Sequence, residues 1–181
     1  AAQRGLRFGE RGLGLGEVPG IRVGRCDGAE HQRHARYFVA LGDRLSEGAE
    51  RSARALDALA LERENLYAVF QWGVAGGEGQ VARRLQALRA VLALDPLLAL
   101  RGPFGAHLLM LDAALDKACD ADPLTVARGH EARAKARQAR WRLAESAEDC
   151  QQVLALAREH DAPALEGRAH FCLGAGLRLM G

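Results

Sequence analysis

From Glu30 onward, apolar residues recur at steps of three and four, the spacing of one face of an α-helix. Phe38, Leu41, Leu45 and Ala49 form the first stripe. Leu56, Leu59, Leu66, Val69, Phe70 and Gly73 form the second, over 55–74, leaving Glu62, Arg63 and Glu64 in water until the Gly76-Gly77 pair ends the helix. Val81, Leu85, Leu88 and Leu92 predict a third helix with a narrow seam, stopped near Asp95-Pro96, and a short helical turn over 97–100. Phe104, Leu108, Leu111, Leu115 and Ala118 mark the next. Leu143, Ala147, Cys150, Leu154 and Ala157 mark another, and Phe171, Cys172, Leu173, Leu177, Leu179 and Met180 crowd the last.

Prolines punctuate the second half of the chain. Pro103, Pro123 and Pro163 stand 20 and 40 residues apart, each before a stretch of helix composition, where a missing N–H costs nothing. The mark absent at 143 falls on Leu143-Ala144-Glu145, where a helix can start without proline. Aspartates in Asp120-Ala121-Asp122-Pro123 and His160-Asp161-Ala162-Pro163 supply cap oxygens or turns at these starts. A shift of 40 places Pro123 on Pro163, Arg128 on Arg168, His130 on His170 and Ala134 on Gly174, the last pair being small residues where a neighbouring helix can come close. The pattern predicts an all-α chain of about seven helices stacked as antiparallel hairpins. It also divides the chain into a Gly- and Arg-rich leader over 1–29 expected to be flexible, an opening helical segment over 30–102 without the 20-residue spacing, and a repeat segment over 103–181 that keeps it.

Composition supports the helical reading. Aromatics are 5% of the 181 residues and no β-branched run of strand length occurs, so the core has to be built from Leu and Ala. The formal net charge of +2 gives no global attraction to nucleic acid or an anionic membrane. Four cysteines, Cys26, Cys119, Cys150 and Cys172, fit neither a CxxC metal pair nor a disulfide framework, which points to a reducing, cytoplasmic setting. No apolar run is long enough for a bilayer, and the start lacks the apolar middle of a secretory signal. The absence of an initiator Met and the Leu-Met-Gly end suggest a piece of a longer protein.

The stretch Trp141-Arg-Leu-Ala-Glu-Ser-Ala-Glu-Asp-Cys-Gln-Gln-Val-Leu-Ala-Leu-Ala-Arg-Glu-His160 resembles the second helix of a tetratricopeptide repeat (TPR) and the turn into it. Ala169 with Leu173-Gly174 is similar to the small-residue signature in the first helix of the following repeat, while Arg137 stands where the family has an aromatic residue. The resemblance covers about 123–181. It implies a TPR-like α-solenoid, a right-handed superhelical stack of helix hairpins. Arg33-His34-Ala35-Arg36-Tyr37-Phe38, the run Leu56 to Leu66, and Arg101-Gly102-Pro103 are similar to the region leading into the repeat array of large bacterial signalling and transcriptional regulators, STAND-type ATPases or LuxR-like regulators. This second resemblance implies a fragment of a sensor arm whose nucleotide-binding module lies elsewhere.

The candidate chemistry is sparse. Gly12-Leu-Gly-Leu-Gly16-Glu-Val-Pro-Gly20 has the glycines of a phosphate loop but no Lys-Ser or Lys-Thr after it, so it reads as linker. Cys26, His31 and His34 could supply three metal ligands, but a fourth is missing at suitable spacing and helix-start histidines are the plainer reading. Arg128, Arg133, Lys135, Arg137, Arg140 and Arg142 crowd one helix against Glu131. They form either a solvated helix face, partly neutralised by Asp112, Asp116, Asp120 and Asp122, or a basic strip.

Arg133, Arg137, Arg140, His130 and His170 are the candidate partner-binding residues, for a protein or peptide ligand in a repeat groove or, as the alternative, for nucleic acid held by helix 128–142. Catalytic residues, metals and cofactors are not expected. A small enzyme using Cys172 or His170 is a third reading. Adjacent domains of a parent protein and self-association through 163–180 complete the expected partners.

Overall fold

A computed structural model of the protein describes residues 28–49, 52–75, 80–117 and 122–180, and every regular element among them is a helix. They are α1 (Gly28–Ala49), α2 (Ala53–Leu61), α3 (Arg63–Val74), α4 (Val81–Arg101), α5 (Phe104–Lys117), α6 (Pro123–Gln138), α7 (Leu143–Glu159) and α8 (Pro163–Met180). The leader residues 1–27, Cys26 and the glycine loop among them, lie outside the described residues, as do Gly76, Gly77, Ala118, Cys119 and Asp120.

The helix starts follow local chemistry. Pro123 opens α6 and Pro163 opens α8, Phe104 opens α5 directly after Pro103, and α7 starts at Leu143 without a proline. Asp122 caps α6, its carboxylate accepting from the Thr125 amide at 2.9 Å. Between α4 and α5 the chain turns at Gly102, whose φ of +71° favours glycine, and the Gly102–Pro103 peptide is cis.

Three expectations fail inside the opening segment. The helix expected over 55–74 breaks at Glu62, giving eight helices among the described residues where about seven are expected, although each residue of its predicted apolar side is buried. The break redirects the chain: α2 packs chiefly on α1, and α3 chiefly on α4. Pro96 does not stop α4, which runs on to Arg101. Proline inside a helix costs about 3 kcal/mol, but Leu94, Leu97 and Leu98 flank it in the core, and burying each stabilises by about 1.5–3 kcal/mol. The seam of α4 is also wide. Because α1, α2, α3, α5 and α6 all touch this helix, Ala87, Ala90 and Ala93 are buried as well as Leu88 and Val91, while Val81 stays exposed.

Each helix from α3 onward packs on the next in sequence, and α1 with α4, α4 with α6 and α6 with α8 also touch. One large apolar cluster runs from Ala35 and Val39 of α1 through α4 to Met110 and Leu111 of α5, reaching Ala132 of α6. Beyond it are two small clusters, Ala127 with Val153, Leu154, Ala157, Leu165 and Ala169, and Ala134 with Cys150 and Cys172. α6 has no leucine stripe. Its inward side is Ala127, Gly129, Glu131, Ala132 and Ala134, and small residues there let α5 approach closely: a Cβ on Gly129 would lie 2.7 Å from a Leu115 methyl.

Candidate functional site

The basic residues of α6 divide by helix face. His130, Arg133 and Arg137 lie at i, i+3 and i+7, on one side of the helix. That side faces α7, where Asp149 is 2% exposed. His130 Nδ1 is 2.9 Å from Asp149 Oδ1; a carboxylate only accepts, so Nδ1 is the donor. Arg133 Nη2 donates to Oδ1 at 2.7 Å, and Arg137 Nη1 to Oδ2 at 2.7 Å. Arg133 Nη1 also reaches Asp112 of α5 at 3.0 Å, and Arg137 Nη1 donates to the Glu145 carbonyl at 3.1 Å. One carboxylate therefore ties α7 to three side chains of α6, and Arg133 extends the tie to α5.

Burial by itself would raise the Asp149 pKa. The hydrogen bonds from His130 and Arg133 and the charges of Arg133 and Arg137 outweigh it and hold the carboxyl below the ordinary aspartate range. Arg133 is likewise pushed up, because Asp149 and Asp112 outweigh its loss of water. This arrangement corrects the solvated basic face: the Arg133 and Arg137 side chains are only 14% and 12% exposed, and both are spent on internal partners. Asp112 contributes to the neutralisation as expected. Asp149, its centre, escaped sequence reading because nothing in its spacing separates it from the solvated acids Glu145 and Glu148 nearby.

The remaining candidates scatter. Lys135 bonds Glu131 at 2.8 Å on the other side of α6, and Arg142 pairs with Glu145. Arg140 sits at the α6–α7 turn, near the start of α5 beside Gly105. His170 is exposed on α8, 3.7 Å from Glu166. Cys172 is buried against Cys150 and Ala134, and positions 170 and 172 are about 200° apart around a helix, so the two do not face each other. A hydrogen bond from Cys150, with the Lys135 ammonium, brings the Cys172 thiol down to about 7 against the effect of burial, while the Cys150 thiol is pushed up. His31 stacks on Trp72, and His34 meets Phe38 in a tilted contact; burial, with the His31 charge, lowers the His34 pKa.

Opposite the Asp149 cluster, a groove of about 900 Å³ runs across α1, α4, α6 and α8. Asp43 and Glu47 form its α1 wall, with Leu92, Ala93 and Pro96 of α4 on the floor. The far wall carries Arg128, Lys135 and Arg168. Several of these charges are already paired: Arg89 with Asp43, Arg168 and Lys135 with Glu131, which is 7% exposed. Arg128 is exposed and makes no ion pair among the described residues. It also lines, with Leu124, Pro163, Leu165 and Arg168, a smaller cleft of about 210 Å³ at the mouths of α6 and α8. Arg128 and Arg168, which the 40-residue shift sets on one another, thus lie on the same wall.

The chain matches no protein-family model, no curated protein and no solved structure. Among the described residues no helix is long and apolar enough to cross a membrane.

Proposed function

We propose that the chain is a non-enzymatic, TPR-like helical scaffold that binds a protein segment in the groove of α1, α4, α6 and α8, as the sensor or interaction arm of a bacterial signalling or transcriptional regulator. The packing of each later helix on its neighbour, and of α1, α4, α6 and α8 in succession, supports the reading as a right-handed superhelical stack. The carrying observation is the groove itself. It draws its lining from four helices well separated in sequence and, among the described residues, leaves Arg128 exposed and without an ion pair beside an apolar cleft. An acidic side chain next to an apolar one on the ligand would satisfy both. The assignment to a regulator rests on the resemblance of residues 30–120 and 123–181.

The nucleic-acid alternative depends on a free basic helix. Arg133 and Arg137 are held in buried ion pairs and Lys135 and Arg142 in more exposed ones within the chain, which among the described residues leaves Arg128 and Arg140 as the cations of that helix and turn without one. The peptide reading is therefore favoured. Selection of a displayed 12-residue random peptide library on the full chain should enrich acidic-apolar sequences, and Arg128→Glu should abolish the enrichment. No enrichment on the native chain, or the same peptides selected by Arg128→Glu, would sink the proposal.

A further inference from the structure

The side of α8 that faces away from α6 and α7 carries apolar and small residues that no described helix covers. Leu165, Ala169, Cys172 and Gly176 face inward. The opposite side carries Phe171, 75% exposed, with Leu177 at its edge, 55% exposed. Gly167 and Gly174, seven residues apart, flank Phe171 on this outer side. Three helical glycines elsewhere in the molecule mark close crossings: a Cβ on Gly42 would stand 2.8 Å from Ala93, one on Gly73 2.4 Å from Ala87, and one on Gly129 2.7 Å from Leu115. Among the described residues Gly167 and Gly174 meet nothing within 4 Å. The close approach of a neighbouring helix expected at Gly174 is therefore not made by any described residue, while exposed apolar surface lies beside it.

We propose that this face pairs with the same face of a second copy, the two α8 helices crossing antiparallel about a twofold axis between positions 170 and 171. The face is complementary to itself in size. In that register Gly167 meets Gly174 of the other copy, Phe171 meets His170, and Leu177 meets Ala164, so that large residues always oppose small or flat ones. It is complementary in charge too. Arg178 comes to the level of Pro163, beside the exposed Asp161, and neither Arg178 nor Asp161 has an ion pair among the described residues. Antiparallel helices also oppose their dipoles favourably. A single helix face is small beside the roughly 800 Å² per partner of a stable complex, so a weak, reversible dimer is expected.

Sedimentation equilibrium of the full chain from about 5 to 300 μM tests this. A monomer–dimer equilibrium is expected, and Phe171→Glu should weaken it at least tenfold with unchanged helical circular dichroism. Gly167→Ala and Gly174→Ala provide the sharper reading: each should raise the melting temperature of the monomer, since alanine favours helix, yet weaken the dimer at least tenfold by holding the helices apart. A native chain that stays monomeric throughout the range overturns the proposal. So does a dimer indifferent to Phe171→Glu and to both alanine substitutions, which would place the contact on another exposed surface such as Trp141. The peptide selection reads a different face, so the groove and the dimer succeed or fail separately.

Discussion

The two ends of this molecule are held together by different physics. From α1 to α5, helices meet through leucine, valine and alanine side chains that share one large apolar cluster. From α6 to α8 the apolar clusters are small and rich in alanine and cysteine, and the α6–α7 contact is organised around a buried carboxylate that accepts from His130, Arg133 and Arg137. The first arrangement is non-directional and tolerates any side chain of suitable volume. The second is directional: it sets the rotation of α6 against α7, because only one face of α6 offers the three donors. A helix pair with little leucine can be placed this way, at the cost of keeping every member of the cluster paired.

Asp149→Ala breaks this contrast most directly. It removes the one buried carboxylate shared by two mostly buried guanidinium groups, leaving Arg133 with Asp112 and Arg137 with Asp112 and Glu145 at longer range, and should cost about 3–5 kcal/mol in chemical denaturation. Leu98→Ala, which opens the large cluster at a fully buried position, should cost about 2–5 kcal/mol. Size alone will not separate the two variants. Their dependence on pH will.

The Asp149 pKa lies below the ordinary value of 3.8, so its contribution is fully present above that value and is lost as pH falls through the lower folded-state pKa. Native protein should therefore lose stability with acid below about pH 3.8, and Asp149→Asn should remove that part of the profile. Leu98→Ala should keep the native slope. A parallel profile for native and Asp149→Asn would show that the cluster does not contribute in this way. The smallest effect belongs to the groove: Arg128→Glu, at an exposed position without an ion pair, should change stability by about 0.5 kcal/mol or less while removing peptide binding.

Much of this contrast was legible in the chain, and the reasons are local. Proline and aspartate act within one turn, so Pro123, Asp122 and Pro163 mark their helix starts, and the 20-residue spacing also locates Leu143. Apolar periodicity named the buried side of α2 and α3 residue by residue. It did not reveal the break at Glu62, because the spacing from Leu59 to Leu66 suits a continuous helix equally well; the redirection comes from α1 and α4 competing for the two halves. Pro96 was misread for the same reason, since its local penalty is outweighed by leucines whose burial depends on helices distant in sequence.

At the candidate site the division is similar. Arg128 and Arg168, set on one another by the 40-residue shift, both line the groove, but the shift by itself predicts no groove. Charge density alone could not separate Arg133 and Arg137, which turn inward, from Arg128, which does not. By itself the sequence determined that this chain is helical, where most helices begin and which apolar residues face inward, since these follow from backbone hydrogen bonding and side-chain periodicity within a few turns. Only the tertiary structure decided which charges are spent on Asp149 and which stay exposed, because desolvation and pairing are properties of the neighbours that packing brings together.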